Sequence, residues 1–405
     1  MSMAECDCEV NMRKVYILGS CRTPIGKMGG SLSDLSSVDL GTIVIKEALS
    51  RSGISPDDVD HVYMGNVLQA ASGQNVARQA ALKAGLSFKS SAETLNIVCG
   101  SGLDAVNSAA RMIQVGDADI VVAGGCESMS KAPFALKEAR FGYRMGFPMK
   151  ESSLIDIMVN DGLWDSINNY HMGITAENVV ERYRLIREEL DQFALNSHTK
   201  AVAAINEGLF KEEIVPVVIK GRKGDVVVGT DEGPRPDTSI ESLARLKPAF
   251  KSDGIVTAGN SSGINDGAAA MILISEDKML ELNLKPEAEW IGGALAGVDP
   301  AVMGLGPIES TKKLLNKIQK TIDDIDVVEA NEAFAAQSIA VQREIGIIDN
   351  KLNPKGGAIA LGHPIGASGC RILVTLIHEL KREMNGLATL CIGGGMGCST
   401  IIKRM

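Results

Sequence analysis

The second half of this chain repeats the first, and that duplication narrows the possible folds more than any other feature. Asp58–Gln69 (DVDHVYMGNVLQ) is echoed by Asp324–Ala335 (DIDVVEANEAFA). The segment NIVCGSGLDAVNSAARMIQVG, from Asn96 to Gly116, is echoed by LNPKGGAIALGHPIGASGCRILVTLI, from Leu352 to Ile377. Ala118–Ser130 (ADIVVAGGCESMS) is echoed by Leu387–Ser399 (LATLCIGGGMGCS). Two copies of one strand–turn–helix unit would bring their equivalent turns together around a pseudo-twofold axis.

The pattern inside the first copy is regular. Lys14–Gly19 reads as a strand, and Asp39–Ser52 as a helix stopped by Gly53. Ser55-Pro56-Asp57-Asp58 is a helix-start signal, Val59–Gly65 a strand and Asn75–Ala84 a small-residue helix. Leu95, Ile97 and Val98 read as the end of a buried strand. From Leu103 the apolar positions Leu103, Val106, Ala110 and Ile113 fall at helical spacing, and Asp119–Gly125 returns to strand. Strands alternating with helices predict parallel sheets in a layered α/β fold: two βαβαβαββ-type halves related by the pseudo-twofold. Lys131 to about Gly263 breaks the rhythm, apart from a long helix near Arg187–Glu207, and reads as an inserted loop domain. Asp266–Ser275 is again a strand. The expected organisation is an N-terminal extension (1–12), a first half (13–130 plus 264–284), a loop domain (131–263) and a second half (285–405).

Composition limits function. With 405 residues, 45% of them hydrophobic and 22% charged, the chain can bury a large core spread over more than one domain. A net charge of −9 without a long basic run argues against nucleic acid or an anionic membrane as partner. No apolar run is long enough to span a bilayer. The start, MSMAECDCEVNMRK, lacks the cationic and apolar pattern of an export signal, so a reducing cytoplasm is expected. None of the eight cysteines forms a C-x-x-C pair, which argues against zinc or dithiol chemistry, and no metal is expected.

One of these cysteines sits where chemistry is expected. Cys99, followed by Gly100, Ser101 and Gly102, lies on a glycine-rich turn at the start of a helix. Glycines there allow close approach of a substrate, and a helix N-terminus lowers a thiol pKa toward the nucleophilic thiolate. In the second copy the turns carry Asn331, His363 and Cys391. A cysteine with a histidine partner is an activated nucleophile that would form an acyl-thioester. A second cysteine, tuned toward pH 7, would serve as acid and base. Gly393, Gly394, Gly395 and Gly397 offer backbone N–H groups to an oxyanion. Asn331 could hold a water or orient His363. Each motif also has a plain structural reading: a packed cysteine, a turn histidine, an Asn331-Glu332 helix cap. Too few residues follow the last glycines for a nucleotide-binding helix.

NIVCGSG (96–102), NEAFA (331–335), GHPIGASG (362–369) and CIGGGMG (391–397) together resemble the thiolases, from about Arg13 to the C-terminus, and within them the biosynthetic branch. The resemblance implies that Cys99 carries the acyl group. It implies that His363 activates Cys99 and, with a water on Asn331, binds the second thioester oxygen. Cys391 would protonate the leaving thiolate and then abstract the α-proton, while the N–H groups of Cys99 and Gly393 form the other oxyanion hole. Two acetyl-CoA would give acetoacetyl-CoA and CoA, with coenzyme A as substrate and product and no further cofactor. Coenzyme A contacts are implied at Leu163, His171, Met172, Arg235, Ser242, Leu243, Ala258, Ser262, Met303, Ala333 and Phe334. A homotetramer, a dimer of dimers, is implied, with RFGYRMG (140–146) in its assembly loop. Three alternatives stay open: a degradative 3-ketoacyl-CoA thiolase, a ketoacyl synthase (opposed by Cys391 and NEAFA) and a silent thiolase-like binding protein.

Overall fold

The computed structural model describes residues 12–142, 153–222 and 224–405. The N-terminal extension with Cys6 and Cys8 lies outside these residues up to 11, as does Tyr143–Gly146 of the RFGYRMG segment. The chain opens with β1 (Val15–Arg22), α1 (Ser37–Ser52), β2 (His61–Gly65), α2 (Val76–Ala84), β3 (Ser91–Leu95), α3 (Ser101–Gln114) and β4 (Ile120–Ser128). Local chemistry sets these limits. Ser36 and Asp39 exchange the two hydrogen bonds of a capping box at the start of α1, and Gly53 ends it at φ 72°. Asn75 caps α2 by accepting from the Arg78 N–H.

Between β4 and the strand that follows it in the sheet, the chain makes short hairpins and two longer helices, α4 (Met172–Tyr183) and α5 (Arg187–Asn206). It then re-enters the sheet as β5 (Asn265–Ser275). The second half runs β6 (Ala288–Gly297), α6 (Gly306–Lys317), β7 (Val327–Ala330), α7 (Ala335–Ile345), α8 (Ser368–Glu379), β8 (Asn385–Ile392) and β9 (Met396–Arg404).

The sheet carries the duplication. Its order is β7-β8-β9-β6-β1-β5-β4-β2-β3, with Gly26–Lys27 adding a short strand against β5. Outward from the middle, β1-β5-β4-β2 mirrors β6-β9-β8-β7, and the halves join where Val15 and Ile17 of β1 pair antiparallel with Trp290 and Ala288. The copies differ at one edge. The counterpart of β3 is reduced to the isolated bridge between Val328 and Leu352.

Two sequence expectations need correction. The sheet is mixed, not parallel: only β2–β3, β2–β4 and β7–β8 pair in parallel, while β1, β5, β6 and β9 run antiparallel to their neighbours. The strand before Cys99 is not buried; β3 is an edge strand, part-exposed along its length, and it ends at Leu95. The apolar residues Ile97 and Val98 belong to the loop that follows.

The helices α3 and α8 pack on each other, and each contacts strands of both halves. Nearly every residue of α8 is buried, as its unbroken SGCRILVTLI run requires. The meeting of the halves is made possible by missing side chains. A Cβ on Gly65, Gly102 or Gly125 would lie 2.6, 2.9 or 2.1 Å from the carbonyl oxygen of Gly366. Those glycines let the loop after His363 reach the base of the Cys99 turn.

Candidate active site

The Cys99 loop is clamped by its own polar side chains. The Ser101 hydroxyl donates to the Val98 carbonyl (2.6 Å) and accepts from the Ile97 N–H (3.0 Å), and the Asn96 side-chain Oδ1 accepts from the Val98 N–H (3.0 Å). Val98 is held at φ 54°, a left-handed conformation costly for a β-branched residue. Gly100 follows because a Cβ there would fall 2.4 Å from the Ile392 side chain. The result lifts Cys99 into a cavity of about 390 Å3 that Met172, His363, Cys391 and Gly393 also line.

The backbone N–H groups of Gly393 and of Cys99 itself favour the Cys99 thiolate. Burial nevertheless pushes its pKa up to about 11. The expected lowering by the helix end is absent for a structural reason: the Gly100 and Ser101 N–H groups are already given to the Ile97 and Val98 carbonyls. Cys391 is fully buried at the end of β8, and burial, with Cys99 nearby, also holds its thiol well above the ordinary range rather than near 7. Both thiols rest protonated. Gly393–Gly395 then turn the chain into β9, with Gly394 and Gly395 at φ 87°.

His363 is positioned by three contacts. Its backbone N–H donates to Asn265 Oδ1 (3.0 Å), its Nδ1 lies 2.5 Å from Ser368 Oγ, and Asn331 Nδ2 lies 3.5 Å from its Nε2. The Ser368 hydroxyl donates to the Pro364 carbonyl at 2.9 Å, so its oxygen accepts from Nδ1–H. This network assigns the tautomer: Nδ1 carries the proton, and the Nε2 lone pair faces Asn331 Nδ2. Burial first, then the positive Arg371, lowers the His363 pKa to about 3, so the imidazole is neutral at pH 7. Asn331 is buried behind it, and its Oδ1 has no hydrogen-bond partner among the described residues. Asn331-Glu332 is not a helix cap, because Glu332 instead accepts from Ser197, Asn353 and the Ile359 N–H.

The predicted coenzyme A residues converge. Leu163, His171, Met172, Ala258, Ser262, Met303, Ala333 and Phe334 line the same cavity as Cys99. Arg235, Ser242 and Leu243 line a second cavity of about 300 Å3 with Lys27 and His198. Ala258, Ser261, Gly263 and Ile264 border both, so the two cavities adjoin.

Three residues escaped the sequence reading. Phe250 stacks on His171 with ring centroids 4.7 Å apart, and Gly173 makes room for it, since a Cβ there would overlap the ring at 2.1 Å. Glu127 is a fully buried carboxylate beneath the site. Ser368 fixes the His363 tautomer; its only signal was a hydroxyl five residues after the histidine, on the same turn. Ser368→Ala removes the acceptor for Nδ1–H and frees the ring to tilt or change tautomer. The expected result is a kcat lower by roughly 100-fold with little change in KM, partly restored in Ser368→Thr. Steady-state kinetics on the three proteins would check this.

Residues 15–277 match the N-terminal domain of thiolase and residues 284–404 its C-terminal domain. The chain belongs to the thiolase family. An acetyl-CoA acetyltransferase of Syntrophomonas wolfei is 57% identical over 97% of this thiolase and 100% of its own length. The crystal structure of the Bacillus anthracis acetyl-CoA acetyltransferase superposes with a TM-score of 0.94 at 46% identity, covering 97% of this chain and 99% of that one. Human mitochondrial 3-ketoacyl-CoA thiolase superposes with a TM-score of 0.93 at 40% identity, again over 97% and 99%. Backbone likeness is therefore shared with both kinds of thiolase.

Proposed function

We propose that this thiolase is an acetyl-CoA acetyltransferase that condenses two acetyl-CoA into acetoacetyl-CoA and CoA through acetyl-Cys99. The observation that carries the reading is one cavity lined by Cys99, Cys391, His363 and Gly393, in a chain alike end to end to acetyl-CoA acetyltransferases. The resting protonation states make the proton count close. His363 Nε2 takes the Cys99 proton as the sulfur attacks the first thioester. The N–H groups of Cys99 and Gly393 hold the oxyanion, and the C–S bond to CoA breaks. Cys391 gives its proton to the departing CoA thiolate and becomes a thiolate opposite the imidazolium. That imidazolium donates its new Nε2–H to the carbonyl oxygen of the second acetyl-CoA, beside a water on Asn331. The Cys391 thiolate removes the α-proton, and the enolate carbon attacks acetyl-Cys99. Cys99 leaves as thiolate and recovers its proton from His363.

The segment 131–263 is assigned to coenzyme A binding, with Arg235 facing the phosphates or adenine. Homotetramer assembly and a cytoplasmic setting complete the reading. The six cysteines among the described residues are all free, which fits a reducing compartment.

The deciding experiment is thiolysis of acetoacetyl-CoA by CoA, run beside 3-ketohexanoyl-CoA and longer chains. Turnover confined to acetoacetyl-CoA supports the acetyltransferase. Preference for long chains makes this a degradative 3-ketoacyl-CoA thiolase with the same chemistry, and no turnover by folded protein makes it a binding protein.

A further inference from the structure

We propose that Glu127 is a positioning residue that locks the floor of the Cys99 pocket to the loop bearing His363, and that the lock holds only while its carboxylate is ionised. The inference rests on the acetyltransferase reading for its kinetic consequences, though not for its geometry. Glu127 lies near the end of β4 with no exposed surface. Its two oxygens accept four hydrogen bonds: from Asn66 Nδ2 (2.9 Å), the Val67 N–H (3.0 Å), the Leu68 N–H (3.2 Å) and the Gly366 N–H (2.8 Å).

Those donors come from two places that must be in register. Asn66–Leu68 directly follow β2, and Val67 and Leu68 pack with Met129, Ile365 and Cys99 in one apolar cluster. Gly366 lies three residues after His363, on the other half of the duplication. One carboxylate therefore ties a wall beside the nucleophile to the loop that carries its base. The approach is tight, since a Cβ on Gly366 would stand 2.6 Å from Glu127 Oε2.

Four donors meet two oxygens, an arrangement that favours the ionised form. A proton on either oxygen would turn toward these N–H groups, and it could reach Asn66 Oδ1, buried without a partner among the described residues, only if that amide turned and gave up its Nδ2 bond. The groups around it add no cation. Asp266 on β5 repels it, Cys126 beside it on β4 and Cys99 before α3 are neutral thiols, and His363 is a neutral imidazole. Burial, opposed by the N–H donors of Val67, Leu68 and Gly366, pushes the Glu127 pKa up to about 7. The sign follows: the lock is closed above that pH and opens as pH falls through it. His363, with a pKa near 3, does not titrate there.

The test is the pH profile of thiolysis for wild type, Glu127→Gln and Asn66→Ala, with amide hydrogen exchange read at Val67, Leu68 and Gly366. Wild-type kcat is expected to fall on acidification through neutrality. Asn66→Ala removes one donor to the charged form, so its acid limb should move to higher pH. Glu127→Gln points an amide N–H2 at the same donors. It should lower kcat roughly 100-fold at little cost in KM, flatten the acid limb and lose exchange protection at Gly366. A superimposable acid limb in wild type and Asn66→Ala overturns the inference, and this holds even if Glu127→Gln does not fold. Unchanged protection at Gly366 in folded Glu127→Gln overturns it whichever reaction the wild type performs, so failure of the lock and failure of the acetyltransferase reading remain separable.

Discussion

Cys391→Ser should give an enzyme that is acetylated once and then stalls. In the proposed mechanism the two half-reactions lean on this residue unequally. In the first, the departing group is a CoA thiolate, which leaves tolerably without help because a thiol is a moderate acid. In the second, the α-proton of a thioester must be taken by a base held close to it, and a serine hydroxyl is far too weakly acidic to supply an equivalent anion. Cys391 itself is fully buried, in an apolar cluster with Met172, Ala333 and Phe334. Bulk water would not substitute for the missing base. The expected loss in kcat for condensation is about 10²–10⁴-fold. Acetyl-Cys99 should persist and be visible as an added acetyl group by intact-protein mass spectrometry. Cys99→Ser should show neither turnover nor a stable thioester. Condensation by Cys391→Ser at the wild-type rate would assign the α-proton to some other base. A Cys391→Ser protein that is never acetylated would mean that leaving-group protonation limits the first step.

The duplication, all four signature turns and the elements of the first copy were legible in the sequence, because each has a local cause. Asp39–Ser52 carries its capping residue and stop glycine, and Gly393–Gly395 form a turn that needs positive φ. The charge states of the site were not legible. A cysteine beside a helix start reads as a depressed pKa, yet the Cys99 loop spends the Gly100 and Ser101 N–H groups on its own carbonyls, and burial then dominates. Such competition depends on packing that no spacing rule encodes. Direction of pairing was also hidden: alternation of strand and helix predicts parallel neighbours, but β1 meets β6 across the pseudo-twofold, and an axis of that kind reverses one strand against the other. Glu127 and Phe250 left no signal because their partners lie far away in sequence. Gly366 is 239 positions from Glu127.

Arg22→Met should destabilise the fold by about 3–5 kcal/mol, a cost to stability rather than to chemistry. Arg22 is fully buried at the end of β1. Its Nε donates to Glu213 Oε1 (2.6 Å), and its Nη1 and Nη2 donate to the two oxygens of Asp231 (2.7 and 2.9 Å). Phe210 covers the guanidinium 5.1 Å from the ring centre. Both acids belong to the stretch between β4 and β5, so this ion triad fastens that excursion to the sheet. Removing the cation strands two carboxylates in the interior, with Lys355, 3.7 Å from Glu213, the remaining ionic partner there. The pH dependence has a definite sign. Burial raises the Glu213 pKa, but Arg22 and Lys355 more than offset it and hold the acid below its ordinary range. Wild type therefore keeps this stabilisation above the unfolded carboxylate range and loses it only as pH falls below that. In Arg22→Met the Glu213 pKa should rise, so protonation relieves the stranded charge. The gap in unfolding free energy between variant and wild type should narrow as pH drops from neutrality toward the carboxylate range. Adding Glu213→Gln should recover part of the loss at neutral pH, because a neutral amide costs less to bury than an unpaired charge. Denaturant unfolding of the three proteins at two pH values measures both effects. A gap that stays constant with pH would show that Arg22 acts through packing on Phe210, with its charge incidental.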